Sequence, residues 1–359
     1  TLPSAVTAER VSWPSPFDAM SDGIRALRGR RLVILVTGDP LWYSVGARIL
    51  KAIPPEDIRF HPQLSAFQWA AARMGWSLAD LTTLTVHGRH PGQAVPFFAP
   101  GARLLILTEG RETPPEIARR LVDTGYGKSR LTVLGALGGP AETRIDGLAE
   151  SWSASAPDFH TLAVECRVSP GAQPLMPGAG LADDWFEHDG KMTKAEVRAV
   201  TLAALRPTRG ALLWDIGLGA GSVAIEWMRA ARDAEAIGLE PLAARREMAR
   251  RNADRLGAAR RDIRDARAPD GLTDLPRPDA VFIGGGLSEA TLAASRAALR
   301  PNGRLVANAV TLESEALLLA AHAQHGGRLG RLSVARAAPV GPYHGWRDLM
   351  TVTQWVFVA

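Results

Sequence analysis

Apolar and polar positions divide the chain into two series of short apolar runs that alternate with helical patterns. This alternation is typical of α/β folds, in which helices connect neighbouring strands of a parallel sheet. In the first series the pattern predicts strands at 31–37, 58–60, 81–86, 103–108, 131–134 and 161–168, and helices at 44–52, 66–74 and 114–124. In the second it predicts strands at 211–216, 234–239, 280–283 and 303–307, and helices at 193–205 and 222–231.

Residues 169–183, between the two series, are rich in proline, glycine and small side chains. Such a composition is typical of a domain boundary. We therefore predict an N-terminal α/β domain over 1–168, a linker over 169–183 and a C-terminal α/β domain over 184–359. A length of 359 residues fits two domains. Thr193 is predicted to cap the first helix of the second domain, with Glu196 completing a capping box.

The net charge is +5, and all but four of the cations are arginines. A positive surface attracts anions, so the balance favours an anionic partner: nucleic acid, acidic lipid or a small polycarboxylate. The charge is spread along the chain and forms no basic tail of the kind that binds nucleic acid.

Several classes of protein are excluded or disfavoured by the composition. A single cysteine, Cys166, excludes an internal disulfide, and its apolar surroundings predict a buried structural thiol. No apolar run is long enough to span a membrane and no signal segment opens the chain, so we expect a cytoplasmic protein. The histidines lack neighbouring carboxylates at metal-binding spacing, so no metal site is expected. Because the chain begins at Thr1 without an initiator methionine, we expect further residues before it.

A glycine-rich turn in the second series predicts a nucleotide site. The strand at 211–216 runs into Gly217-Leu218-Gly219-Ala220-Gly221, a helix follows, and the next strand ends at Glu240. Such a turn lets a ligand approach the backbone, and an acidic residue at that strand end can accept hydrogen bonds from ribose hydroxyls. The G-x-G-x-G pattern after Asp215 lacks the dinucleotide spacing. It therefore favours S-adenosylmethionine over NAD, with a turn that binds no ligand as the remaining interpretation.

The first series carries an ordered set of loop motifs after its strands, and this set resembles the tetrapyrrole methylase (class III methyltransferase) family. The motifs are Gly38-Asp39-Pro40-Leu41, residues 62–66, Val86-His87-Gly88-Arg89, residues 107–114 and residues 137–142. In the second series, residues 186–198, the 214–221 loop and Phe282-Ile283-Gly284-Gly285-Gly286 resemble the class I decarboxylating corrin-precursor methyltransferases. The resemblance extends from about Arg31 to the C-terminus, and its specificity lies in the fusion of both motif sets.

The resemblance implies a fold and an activity. It implies an α/β protein in which a tetrapyrrole-methylase-like N-terminal domain precedes a Rossmann-like class I methyltransferase domain. Such a protein would place two methyl groups from S-adenosylmethionine on meso carbons 5 and 15 of a corrin precursor and remove carbon dioxide from an acetate arm, in aerobic cobalamin biosynthesis. Because the macrocycle supplies its own carbon nucleophile, we expect catalysis chiefly by positioning. No catalytic acid or base is identified.

The resemblance also implies binding residues. The C-terminal cofactor site is predicted to comprise Thr193, Gly217, Leu218, Gly219, Ala220, Gly221, Glu240 and Ala268, and the N-terminal cofactor site Gly38, Asp39, Pro40, Ser65 and Ala66. Gly284, Gly285, Gly286 and Asn308 are candidates for the substrate side. The substrate is a polyanion, so Arg89, Arg111, Lys194 and Arg198 are predicted to clamp its carboxylates.

Two alternatives stay open. The family opens with a strand and a V-G-x-G-x-G-type turn, and nothing before Gly38 matches it. The N-terminal domain could therefore be a non-catalytic scaffold, which leaves one activity in the second domain. An RNA methyltransferase is the other alternative, although the chain has no basic stripe with interleaved aromatic residues. We expect no nucleic-acid or membrane partner, and we expect a homo-oligomer.

Overall fold

The N-terminal half contains four α-helices and five strands in the computed structural model, which describes residues 7–359. The helices are α1 (Met20–Ala26), α2 (Gly46–Ile49), α3 (Ala66–Met74) and α4 (Thr113–Asp123), and the strands are β1 (Thr82–Thr85), β2 (Arg103–Leu107), β3 (Arg130–Gly135), β4 (Thr143–Leu148) and β5 (His160–Glu165). Helix α3 begins where Ser65 and Gln68 form a capping box and ends at Gly75, whose φ is 65°. Local signals therefore account for both ends of this predicted helix.

The five strands form one sheet in the order β1-β2-β5-β3-β4. Only β1 and β2 are parallel, whereas β2–β5, β5–β3 and β3–β4 are antiparallel pairs. The prediction of a parallel sheet in this half was therefore wrong. The short connections after β3 and after β4 contain no crossover α-helix, and a chain that turns straight back pairs antiparallel.

Residues 31–37 were predicted to form a strand and do not. They have no sheet partner, and Val33 and Leu35 are 75% and 58% exposed. An apolar run becomes a strand only when a neighbour pairs with its backbone groups, and none of the described strands does so here. The strand predicted at 58–60 is also absent, and the helix predicted at 44–52 is reduced to the single turn α2.

The C-terminal half follows its predicted elements closely. Its helices are α5 (Ala195–Leu205), α6 (Ser222–Ala230), α7 (Ala243–Leu256), α8 (Glu289–Ala298) and α9 (Leu312–His325). Its strands are β6 (Leu212–Ile216), β7 (Glu235–Leu239), β8 (Arg261–Arg264), β9 (Ala280–Ile283), β10 (Arg304–Ala309), β11 (Arg328–Leu332), β12 (Ala335–Val340), β13 (Tyr343–Asp348) and β14 (Val352–Val358).

Seven of these strands form a sheet in the order β11-β14-β10-β9-β6-β7-β8, and β12 pairs with β13 in a separate hairpin. Strands β8, β7, β6, β9 and β10 are parallel, and β14 is antiparallel to both of its neighbours. From β6 the chain builds outward through β7 and β8, then returns to place β9 on the other side of β6. Ligands bind at the carboxyl ends of strands at such a switch point.

One hydrophobic cluster spans both halves, whereas the other clusters among the described residues each lie within one half. A single cluster of buried side chains includes Val95 and Phe98 from the first half and Leu256 from the second. The segment predicted as a linker is part of this junction, because Leu175 is buried and its carbonyl accepts a hydrogen bond from the Tyr126 hydroxyl at 3.1 Å. The halves therefore meet through a packed interface.

One local prediction in the second half was wrong. Helix α5 begins at Ala195 with Lys194 as its N-cap, and no side chain caps it. Glu196, predicted to complete a capping box with Thr193, instead forms an ion pair with Arg336 at 2.6 Å. An accessible carboxylate takes the stronger charged partner when the tertiary structure brings one within reach.

Within residues 7–359, no helix combines the length and apolar character needed to cross a membrane.

Candidate functional site

Two glycine turns meet at the switch point of the C-terminal sheet. Gly217, Gly219 and Gly221, between β6 and α6, all have positive φ, at 76°, 56° and 79°. The second turn follows β9, where the backbone N–H groups of Gly284 and Gly285 donate to the Ile216 carbonyl at 3.0 and 3.2 Å. A Cβ on Gly217 would lie 2.6 Å from the Gly285 nitrogen, so only glycine fits this crossing. The predicted cofactor turn and the predicted substrate-side turn therefore lie against each other.

Glu240 fixes the glycine turn from the neighbouring strand. It is buried at the end of β7, and its two carboxylate oxygens accept hydrogen bonds from the backbone N–H groups of Gly219 and Leu242, both at 3.0 Å. A carboxylate has about four acceptor positions, so each oxygen can accept a further hydrogen bond from a ligand. Glu240 therefore lies beside the glycine turn, where the sequence predicted it.

Asp215 is part of the pattern that predicted the cofactor turn, but it was not among the predicted cofactor-binding residues. Its Oδ2 accepts from the Ala224 N–H at 3.0 Å, whereas its buried Oδ1 has no partner among the described residues. Complete burial, and secondarily the charge of Glu240, raise the pKa of Asp215 to about 7. The sequence signal for it is an acidic residue at the end of a buried strand, two positions before a G-x-G-x-G turn.

These residues fit a ligand that carries hydrogen-bond donors. A buried carboxylate oxygen without a partner is unfavourable, and a donor that approached it would remove that cost. S-adenosylmethionine carries an ammonium group and ribose hydroxyls, and the glycine turn leaves its backbone bare where side chains would obstruct a ligand. Asp215, Glu240 and the 217–221 turn are therefore the residues that would hold it.

The other predicted cofactor-binding and substrate-side residues of the C-terminal half differ in burial and in hydrogen bonding. Leu218 and Ala220 are buried within the turn, and Ala268 is half-buried beyond β8. Gly284 and Gly286 are exposed, as a substrate-side surface requires. The Asn308 amide donates to Thr201 Oγ1 and accepts from Gln354 Nε2, both at 3.0 Å, so it belongs to a polar network within the sheet layer.

Arg198, predicted to contact the substrate, is instead a structural residue. It is fully buried on α5, and its Nε donates to Glu226 Oε1 at 2.5 Å. Its other nitrogens donate to Asp183 and to the backbone carbonyls of Thr193 and Leu181. A guanidinium with all of its groups enclosed cannot reach a ligand, which corrects the prediction. Lys194, in contrast, is half-buried and forms no ion pair with a described residue.

The loops of the N-terminal half bring some of its predicted residues together. Gly38 has a φ of 65°, and a Cβ there would lie 3.3 Å from the Cα of Ser65, so the two predicted motifs are in contact. The Asp39 carboxylate accepts from the Leu41 N–H at 2.8 Å within its own turn, and the Pro40 carbonyl accepts from Gly46 at 3.0 Å. Ser65 and Ala66 form the start of α3.

The two turns that follow β1 and β2 are also joined. The Gly88 N–H donates to Glu109, and His87 Nδ1 lies 3.3 Å from the same carboxylate. Arg111 forms a bidentate ion pair with Asp158 at 2.6 and 2.7 Å on the surface. Arg89 is exposed, and its side chain makes no hydrogen bond or ion pair with residues 7–359. No group of three or more potential metal ligands occurs in the described part of the chain.

Each half of the chain matches the model of a known protein family. Residues 18–151 match the model of the tetrapyrrole (corrin/porphyrin) methylases, and residues 184–359 match that of the precorrin methyltransferase domain. These two matches confirm the predicted pair of methyltransferase domains.

Three relatives are similar to this chain over long stretches. The precorrin-6Y C(5,15)-methyltransferase [decarboxylating] of Sinorhizobium sp is 44% identical over 98% of this chain and 86% of its own length. The enzyme of the same name from Mycobacterium tuberculosis (strain CDC 1551 / Oshkosh) is 37% identical over 99% of this chain and 89% of its own length. The crystal structure of the C-terminal domain of precorrin-6Y C5,15-methyltransferase from Rhodobacter capsulatus is 47% identical over 52% of this chain and 100% of that domain, with a TM-score of 0.49. Because the relatives from Sinorhizobium sp and Mycobacterium tuberculosis are 44% and 37% identical over nearly the whole chain, the chain belongs to the family of precorrin-6Y C(5,15)-methyltransferases (decarboxylating).

Proposed function

We propose that the protein transfers methyl groups from S-adenosylmethionine to meso carbons 5 and 15 of a precorrin-6Y-type tetrapyrrole and decarboxylates one of its acetate arms, giving precorrin-8X. The observation that carries the proposal is the crossing of the 217–221 and 284–286 turns beside Asp215 and Glu240. The Sinorhizobium precorrin-6Y C(5,15)-methyltransferase, which matches 98% of this chain, supports the same function. No observation favours RNA as the substrate.

The mechanism assigned to the C-terminal half is one of positioning. S-adenosylmethionine, when bound, supplies an electrophilic methyl group. Asp215 and Glu240 would hold donor groups of the cofactor, and the glycine turn would keep side chains away from it. The exposed backbone of Gly284 and Gly286 leaves room for a flat ring to lie close to the cofactor. Holding the methyl group and the ring carbon in line at about 3–3.5 Å is the main catalytic requirement.

Decarboxylation needs an electron sink, which the conjugated ring itself supplies after methylation. The carbon–carbon bond of the acetate arm breaks, its electron pair enters the ring system, and a proton then completes the new methyl group. The protein's part is to keep the arm's carboxylate poorly hydrated. This step therefore requires no metal ligand or nucleophilic side chain from the protein.

For the N-terminal half we propose the second methyl transfer. Contact between Gly38 and Ser65, and the link between Gly88 and Glu109, support one site formed by several predicted motifs. The alternative, a scaffold with no methyl transfer of its own, predicts one cofactor equivalent per chain instead of two. We further propose a cytoplasmic homo-oligomer with no nucleic-acid partner.

The test is incubation of the protein with S-adenosylmethionine and the reduced precorrin, followed by mass spectrometry. A gain of two methyl groups with loss of one carbon dioxide is expected. One methyl group with decarboxylation would leave the C-terminal activity alone and support the scaffold alternative. An unchanged mass with competent substrate would contradict the proposed function, and transfer to RNA would replace it.

A further inference from the structure

A cleft of about 260 Å³ lies at the junction between the two halves. The first half contributes Tyr43, Thr85 and Arg89 to its lining, and the second contributes Arg229, Arg232 and Arg260. Apolar side chains complete the wall on both sides. The cleft therefore exists only because the two halves are packed together.

The lining has an excess of positive charge. It includes four arginines and, among the described residues, one carboxylate, that of Asp233. Asp233 is shared, because its oxygens lie 3.0 Å from Arg260 Nη2 and 3.9 Å from Arg232 Nε. The Arg89 side chain has no partner among residues 7–359, whereas Arg260 also pairs with Glu235 at 3.4 Å, outside the lining. The cations of the cleft therefore outnumber the carboxylates that contact them.

Arg229 shows the same imbalance in a buried position. Its side chain is on α6, the residue is 9% exposed, and its guanidinium donates only to the backbone carbonyls of Leu256 at 2.5 Å and Met176 at 3.1 Å. Its buried Nε has no partner among the described residues, and burial lowers the pKa of Arg229 to about 10. Glu226 acts on this guanidinium only through space, without an ion-pair contact. A buried cation without a carboxylate in contact is costly, and an anion in the cleft would offset that cost.

The cleft adjoins the predicted site of the N-terminal half. Tyr43 lies in the loop that follows Gly38-Asp39-Pro40, its hydroxyl donates to the Thr83 carbonyl at 3.0 Å, and Arg232 donates to that hydroxyl. Arg89 belongs to the turn after β1. In the second half the lining segments precede β7 and β8, whereas the cofactor turn lies at the carboxyl ends of β6 and β7. The cleft is therefore separate from the C-terminal cofactor site.

We propose that this cleft is a carboxylate-binding subsite, built by both halves, that holds one acidic side chain of the tetrapyrrole bound to the N-terminal half. This inference rests on the proposed function. Arginine guanidinium groups bind carboxylates through paired, charge-assisted hydrogen bonds. The apolar wall, which includes Phe97 and Met228, suits the methylene groups of such an arm. The C-terminal half thus contributes to substrate specificity at the site of the N-terminal half.

Three variants of the full chain test the subsite. Arg89→Gln removes a cation whose side chain makes no hydrogen bond or ion pair with residues 7–359, so the fold should tolerate it. Arg232→Gln removes a cation from the opposite wall. Arg209→Gln is the matched control, because Arg209 also pairs with Asp233, at 3.3 Å, is 72% exposed and does not line the cleft.

The assay follows each methyl transfer separately by mass spectrometry, with decarboxylation reporting on the C-terminal site. Arg89→Gln and Arg232→Gln are each expected to raise the KM of the transfer without decarboxylation about tenfold, as loss of a charged hydrogen bond would. The decarboxylating transfer, and both transfers in Arg209→Gln, should be unchanged. Equal KM values for all three variants and the parent chain would overturn the subsite, as would an equal loss in Arg209→Gln.

Binding of uroporphyrin, a stable tetrapyrrole with eight carboxylates, provides a readout that does not depend on turnover. Fluorescence titration should show weaker binding to Arg89→Gln and Arg232→Gln than to Arg209→Gln. Identical affinities would overturn the subsite even if the parent chain performs both methylations. A parent chain that binds uroporphyrin in this arginine-dependent way without methylating the precorrin would contradict only the proposed function.

Discussion

Replacing Asp215 with asparagine should change how stability depends on pH. The pKa of this carboxyl is 3.8 in an ordinary environment and about 7 when buried in the fold. Well below pH 3.8 both the folded and unfolded states hold the proton, so the group contributes nothing. As the pH rises towards 7 the unfolded state loses its proton first, and the folded state loses stability relative to it. A shift of about three units corresponds to about 4 kcal/mol, which is fully expressed above pH 7.

The asparagine in Asp215→Asn cannot ionise, so the variant should lack this loss. Urea unfolding, followed by tryptophan fluorescence, should show the variant gaining about 3 kcal/mol on the parent chain between pH 4.5 and pH 7.5. The matched control is Asp265→Asn, since that carboxylate is 69% exposed. Parallel pH curves for the parent chain and Asp215→Asn would refute the assigned burial cost. The variant should also bind S-adenosylmethionine more weakly, because it lacks the carboxylate acceptor.

Three further predictions concern packing, the glycine turn and the surface. Glu226→Gln should destabilise the protein by about 3–5 kcal/mol in urea unfolding, because it leaves the buried Arg198 without its main counter-ion. Adding Arg198→Met to Glu226→Gln should recover part of the lost stability. A double variant as unstable as Glu226→Gln would contradict the assignment of that loss to an unpaired buried Arg198. Gly217→Ala should lower stability and cofactor affinity in calorimetry more than Gly219→Ala, since both have positive φ but only the first meets neighbouring backbone closely. Arg111→Gln should leave stability nearly unchanged, because its ion pair with Asp158 is exposed to solvent. A raised KM for the precorrin would therefore identify Arg111 as a substrate contact, and an unchanged KM would exclude it.

Residues close together in sequence determined much of the C-terminal half. Apolar runs of four to six residues, separated by helical patterns, were sufficient to locate β6, β7, β9 and β10, because each is buried on both faces of a parallel sheet. The glycine turn and Glu240 were also predicted, since their spacing follows from the length of one βαβ unit. The resemblance of the motifs identified the family.

Tertiary structure decided which charged residues can bind a ligand and which apolar segments can pair in a sheet. Arg198 and Arg89 are the same residue type beside similar motifs, yet one is enclosed by Glu226 and Asp183 and the other is exposed without a partner. Residues 31–37 have the composition of a strand but no neighbour to pair with. The buried Asp215 oxygen and the arginine-lined junction cleft likewise depend on groups distant in sequence. A local pattern specifies the conformation that a segment favours, but burial, charge pairing and strand partners depend on which distant residues the fold places around it.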